Sequence, residues 1–274
     1  MRFIARPRAG ALGGLALLLF ALASDVGARP DATTPPAPLP EGRALVFASD
    51  EWCPYVCFES TRAGYLVDLA HALFESPARP VEIRRMSWLR AIREAEAGRI
   101  DGVLGAAPGE SPLLLYPDRA AAGDPVAFAV RSGDPWTFIH PRDLSGRRIG
   151  LAQGYRFGPA LDDALSPGRA HSPGIEPLAT DRPTWNNLQK LVEGRIDTVL
   201  DNGHVLRHEV DRSGFFPAVR VIESGIENRV YIAFADTTVG RTLAAHFEHV
   251  MRSRAGRKLV DGLERQYGAM DAAP

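Results

Sequence analysis

Apolar positions recur at helical spacing twice in this chain, and each time the pattern ends on a glycine and restarts as a short apolar run. Residues 88–104 read WLRAIREAEAGRIDGVL, with Leu89, Ile92 and Ala95/Glu96 on one helical face. Residues 185–200 read WNNLQKLVEGRIDTVL, with Leu188, Leu191 and Val192 in the same role. Gly98 and Gly194 follow the helices, where a left-handed residue closes the last turn at little steric cost. The apolar runs 100–104 and 196–200 then predict buried strands. One helix, one GRID turn and one strand, used twice, imply two similar lobes.

The same reading gives strand 43–49, helix 65–74, strand 81–86, helix 88–97 and strand 100–105. A strand at 125–130 and a turn-rich stretch lead to strand 148–152, which opens the second lobe. Helix 159–165, the second GRID unit, helix 204–210 and strands 219–222 and 230–235 follow. Two amphipathic helices, 239–252 and 255–267, end the chain, and the pattern leaves open which lobe they cover. Strands alternating with helices of this length predict an α/β fold with a mainly parallel sheet covered on both faces.

The amino-terminal end reads differently. Arginines at positions 2, 6 and 8, an apolar run over 11–23 and the small-x-small sites Ala21-Leu22-Ala23 and Val26-Gly27-Ala28 predict a cleavable signal peptide over 1–28. About 13 apolar residues fall short of the roughly 20 that a spanning helix needs. Residues 29–42 are proline-rich and read as a linker. The expected location is the periplasm. Of the 32 basic and 33 acidic residues, the first 28 positions hold three arginines and one aspartate, so 29 and 32 remain and the net charge is −3. Without a concentrated basic surface, nucleic acid is not an expected partner.

In an oxidising compartment Cys53 and Cys57 are expected to be bridged. On the loop-entropy model so short a loop gains only about 2 kcal/mol. The bridge would mainly pin the loop carrying Trp52, Pro54 and Tyr55. The spacing fits neither a zinc knuckle nor a thioredoxin-type motif. His204/His208 and His246/His249 lie at helical spacing but read as surface histidines, and no metal or cofactor is expected. No nucleophile elbow, phosphate loop or zinc-hydrolase motif is present in the sequence.

Taken in order, Trp52-Cys53-Pro54-Tyr55, Gly64-Tyr65-Leu66-Val67-Asp68-Leu69, Trp88 with the first GRID, Asp143-Leu144-Ser145-Gly146, Gln153-Gly154 and the second GRID form a pattern. By this pattern the chain resembles the family 3 extracellular solute-binding proteins, the periplasmic receptors of polar amino-acid ABC transporters. The resemblance implies a bilobal type II α/β receptor, with two mainly parallel sheets flanked by helices and joined by a two-strand hinge. Residues 43–126 and 228–270 would form lobe 1 and residues 127–227 lobe 2. A small polar, amino-acid-like ligand would sit in the cleft of a monomer, which then meets an ABC permease in the membrane. An enzyme on the same fold, similar to cyclohexadienyl dehydratases, and a receptor serving a signalling partner are the alternatives.

The candidate contacts depart from that family in one place. Where its amino-acid binders carry a threonine and an arginine for the ligand's α-carboxylate, this chain has Glu110 and Leu113. A glutamate repels a carboxylate and leucine cannot hold one, so Arg90, Arg119 or Arg156 would have to take over. The family's amine-binding aspartate corresponds to Asp201 or Asn202. Trp52 and Tyr55, after the first strand, are expected to stack on the ligand. Gly154, Tyr155 and Arg156 precede a helix and could receive an anionic group. Trp88 and Trp185 read as packing residues, and Asp101 and Asp197 as scaffold at the turns into their strands. Asp68 suits the positive end of its helix.

Overall fold

The structure, a computed structural model, describes residues 36–168, 173–212, 214–215 and 217–268. The signal peptide expected over 1–28 and the first part of the linker lie outside the described residues.

The first lobe is built from β1 (Leu45–Ser49), α1 (Tyr65–Phe74), β2 (Val81–Arg85), α2 (Trp88–Glu96), β3 (Gly102–Ala106) and the short β4 (Leu114–Leu115). β5 (Ala122–Arg131) leads into the second lobe, made of β6 (Arg148–Ala152), α3 (Pro159–Leu165), β7 (Gly174–Leu178), α4 (Pro183–Val192), β8 (Thr198–Asn202) and α5 (Gly203–Arg212). β9 (Val219–Ala235) returns, and α6 (Thr238–Arg252) and α7 (Arg254–Tyr267) complete the chain. β1 is parallel to β2 and β3, and β6 is parallel to β7 and β8. The strand order β2-β1-β3-β9-β5-β8-β6-β7 places the antiparallel pair β5 and β9 between the two parallel sets. These two strands are the hinge.

The sequence reading divides β9 in two, at 219–222 and 230–235, whereas the structure makes it one strand of 17 residues. Its middle alternates exposed Glu223, Gly225, Glu227 and Arg229 with half-buried neighbours, so one face is polar and no apolar run survives. The continuous pairing with β5, shifted once between Val126 and Ala127, still satisfies the backbone. β7, absent from the sequence reading, is a partly exposed edge strand containing Pro177, which an edge tolerates.

The two GRID units are built alike. Gly98 and Gly194 both have positive φ, 66° and 75°. In the first unit the Asp101 N–H bonds Val46 O and its carboxylate accepts the Val46 N–H, with Arg43 beside it. In the second, Asp197 does the same to Arg148, backbone and guanidinium together. The Arg148 hydrogen bond holds the Asp197 carboxyl down at about 2. The helical faces differ in detail from expectation. α2 buries Trp88, Ala91, Ile92 and Ala95, leaving Leu89 half-buried and Glu96 exposed, and Val192 of α4 is also exposed. The 3.6-residue period places Trp88 and Ala91 on the inner stripe with Ile92 and Ala95.

α6 and α7 settle on the first lobe, where Phe247, Met251 and Leu263 join Phe47, Phe74 and Phe234 in one core. The Tyr267 hydroxyl donates to Asp68 in the first turn of α1 at 2.6 Å, and Arg62 donates to Gln266 O. The second lobe has a core on each face of its sheet, around Phe128, Leu144 and Leu200 on one and Leu188, Leu191 and Leu206 on the other.

Cys53 and Cys57 are bridged. The loop they close packs on the start of α1 through Gly64, whose φ is +109° and whose missing Cβ would lie 2.4 Å from Tyr55 O. Gly64→Ala therefore strains the backbone and collides with backbone atoms at once. Its expected cost is about 2–3 kcal/mol, or about 5–10 °C in melting temperature for a protein of this size. A melting curve within 2 °C of the parent would contradict this packing.

Candidate functional site

A cavity lies where the carboxyl ends of the parallel strands of both lobes face each other, the usual ligand position in open α/β sheets. The first lobe contributes Ser49 and Asp50 at the end of β1, Trp52 beyond it, Trp88 at the start of α2, and Leu104, Gly105, Ala107 and Glu110 in and beyond β3. The second lobe contributes Tyr155, Arg156 and Phe157 after β6 and Asp201 and Asn202 at the end of β8. Asp124 and Val230 enter from the hinge strands.

The walls are tied across the cleft. The Tyr155 hydroxyl donates to the Asp50 carboxylate, 3.0 and 3.1 Å from its two oxygens. Trp52 Nε1 donates to Asp201 Oδ1 at 3.2 Å, and the Arg156 N–H reaches Glu110 Oε1 at 3.3 Å. Asp201 also accepts from the Thr184 hydroxyl and the Asn202 N–H. Asn202 is committed to the scaffold: its Nδ2 donates to Asp124 and the Tyr55 hydroxyl, and its Oδ1 accepts the first N–H groups of α5. Of the two residues left open by the sequence, Asp201 is the ionisable one, and Asn202 is a neutral hydrogen-bonding brace.

Four carboxylates meet in this space, and three are almost sealed: Asp50 is 1%, Asp201 2% and Asp124 6% exposed. Burial pushes every one of them upward. Asp50 rises well above the ordinary carboxylate value, only partly relieved by the Tyr155 hydroxyl and pushed further by Asp201. Glu110 also rises well above it despite the Ala107 and Arg156 N–H groups. Asp124 is raised to about 7 and Asp201 is raised less far, each by burial first. The Tyr155 phenol, buried beside Asp50, is pushed well up as well, which keeps it a donor.

Of the residues singled out in the sequence, Trp52, Glu110, Tyr155, Arg156, Asp201 and Asn202 come together around this cavity. Tyr55 does not line it. It is fully buried behind Trp52, the rings stacked at 4.5 Å, and its hydroxyl donates to Gly123 O. Gly154 is exposed, with φ +98°, and also lies outside the lining. The anion site expected at residues 154–156 takes a different form, because α3 starts only at Pro159 and the Arg156 N–H is taken by Glu110. Leu113 points away, 61% exposed, and neither Arg90 nor Arg119 lines the cavity. Asp50, Asp124 and Phe157 are among the contributors absent from the sequence expectations, and Trp88, expected only to pack, also lines the cavity.

At one edge of the cleft charged side chains also join the lobes. Glu59 contacts Arg85 of the first lobe at 2.9 Å and Arg182 of the second at 3.2 Å. Arg85 pairs with Asp181 at 2.9 Å, and Arg212 donates to Glu59 O at 2.8 Å. These groups are partly exposed, so their attraction is modest and screened by salt. Glu59→Gln is expected to weaken ligand affinity about two- to fivefold at low salt, the size of an exposed pair worth up to about 1 kcal/mol. The difference should vanish in titrations at about 0.5 M salt, and a difference that persists there would contradict a screened clasp.

Comparison with protein-family models finds no match, and no curated protein matches the chain. Solved structures do. An ancestral arginine-binding protein bound to arginine superposes with a TM-score of 0.67 at 16% identity, over 83% of this chain and 99% of that one. The arginine-, lysine-, histidine-binding protein ArtJ from Geobacillus stearothermophilus gives 0.66 at 16% identity, over 82% and 95%. A histidine kinase sensor domain with similarity to periplasmic binding proteins gives 0.66 at 17% identity, over 83% and 96%. At such identities the likeness concerns the backbone, and the chain has the bilobal fold of the periplasmic binding proteins.

Proposed function

We propose that this protein is a periplasmic solute-binding receptor, a monomer that captures a small polar ligand between its lobes and presents the closed form to the permease of an ABC importer. The observation that carries the reading is the cavity wall itself. Side chains of both lobes enclose it and bond across it, so a ligand inside touches both lobes and favours closure by its difference in affinity for the closed and open forms. The structural neighbours include binding proteins for amino acids, which supports a solute-binding role. The sensor-domain neighbour supports the variant in which closure is read by a signalling partner.

A second reading, acid catalysis on this scaffold, is favoured by one observation: Glu110 is a buried carboxyl held well above its ordinary range, as a general acid needs. The two readings part in a thermal-shift screen of residues 31–274 against amino acids, amines, small organic acids and prephenate-like compounds. A receptor is stabilised saturably by a compound that is recovered unchanged. Recovery of product in place of the compound, lost in Glu110→Gln, would overturn the receptor reading.

A further inference from the structure

We infer that the cleft selects a small protonated primary amine carrying no free carboxylate, with Asp50 and Asp201 as its counter-charges and aromatic rings as its walls. This rests on the receptor reading above and names the ligand class for the same site.

The charge inventory points first to a cation. Asp50, Glu110, Asp124 and Asp201 all face the cavity, and the one basic residue on its wall, Arg156, is exposed at the rim. Among the described residues no second lysine or arginine lines the space. A ligand carboxylate placed here would meet four acidic side chains, each of which it would repel on ionising, and find Leu113 outside, solvent-facing. A buried carboxylate without a cation is costly, and a bound ammonium relieves that cost.

The aromatic walls agree. Trp52, Trp88 and Phe157 surround the Tyr155 ring, with centroids 6.4, 6.0 and 6.3 Å from it. Ring faces attract an ammonium once water is excluded. Trp88, only 3% exposed, also brings to this wall a buried indole N–H that finds no hydrogen-bond partner among the described residues. That donor suits a neutral oxygen or nitrogen on the remainder of the ligand.

Free acceptor positions separate a primary amine from a quaternary one. A carboxylate has about four acceptor sites. Among the described residues Asp50 accepts from the Tyr155 hydroxyl and its own backbone N–H, and Asp201 receives three donors, from Trp52, Thr184 and Asn202. Both retain sites that N–H groups fill and a quaternary ammonium leaves empty.

Matched pairs test this by calorimetric titration of residues 31–274 at about pH 8: agmatine against arginine, 1,4-diaminobutane against ornithine, 1,5-diaminopentane against lysine, with choline and succinate alongside. In at least one pair the compound without the carboxylate should bind at least about tenfold more tightly, the scale of one unfavourable charge contact, and more tightly than choline. Asp201→Asn should lower that affinity at least about tenfold. Equal or tighter binding of the amino acid in every pair, or preferred binding of succinate or choline, overturns the amine class and leaves a receptor. No binding by any amine overturns the amine class as well. An amine recovered chemically altered overturns the receptor reading while the ligand class stands. Unchanged amine affinity in a folded Asp201→Asn protein overturns the assigned counter-charge.

Discussion

Asp50→Asn is expected to raise the melting temperature of the ligand-free protein at pH 8 and, in the same protein, to remove amine binding. The two effects have one cause. Burial raises the folded-state pKa of Asp50 well above 3.8, so folding takes up a proton at any pH between the unfolded and folded values. The unfolded chain binds fewer protons there, and stability falls as pH rises through that window. Asparagine does not titrate, and its side-chain oxygen still accepts the Tyr155 hydroxyl. The difference between variant and parent should be near zero at about pH 4 and grow with pH. A gain of about 1–3 kcal/mol, the ordinary size of a single-site effect, corresponds to about 3–10 °C. Amine affinity should fall at least about 30-fold, because removing one partner of a buried charge pair costs about 2–5 kcal/mol. Parallel melting curves across pH would contradict the burial of this charge, and a destabilised variant would contradict its assignment to ligand over fold.

Amine affinity is expected to fall steeply on acidification from about pH 8 to about pH 5.5. A cation needs ionised carboxylates, and in the ligand-free cleft Asp124 titrates at about 7 while Asp50, Glu110 and Asp201 are also raised. The groups that set this field come from several walls: Asp50 and Glu51 after β1, Glu110 beyond β3, Asp124 from β5, Asp201 from β8, Glu227 from β9, and the Tyr155 phenol. Binding therefore releases protons as pH drops through these values, and affinity declines about tenfold per pH unit for each proton released. The amine stays protonated throughout and contributes no slope of its own. Calorimetry in buffers of different ionisation enthalpy counts those protons directly. A pH-independent affinity, or one that improves in acid, would show that the carboxylates are not the counter-charges.

What the sequence made legible follows from which forces act locally. Helix 65–74, strand 148–152 and helix 159–165 coincide with α1, β6 and α3 because amphipathic period, glycine and proline mark them within a few residues. The hinge strand β9 was obscured because its middle is held by backbone pairing to β5, and side-chain pattern does not report that. The lobe that receives α6 and α7 depends on where Phe247 and Leu263 find partners, a tertiary fact. Trp52, Glu110, Tyr155 and Arg156 could be named because they sit in loops beyond strand ends, and Asp201 because it lies at the end of β8. Asp50 escaped although it directly follows the first strand in an acidic pair with Glu51. Asp124 escaped although it is the lone charge in the apolar stretch 120–130, a signal that was available. Trp88 reads as packing because α2 repeats with the scaffold, yet the start of that helix faces the cleft, so the ring is both core and wall.

The radius of gyration in solution, measured by X-ray scattering at about pH 8 with and without saturating agmatine, tests capture between the lobes most directly. Closure on an amine predicts a smaller radius with agmatine, restored on dialysis and absent in Asp50→Asn. Saturable agmatine binding with an unchanged radius, or the same contraction in Asp50→Asn, would contradict it.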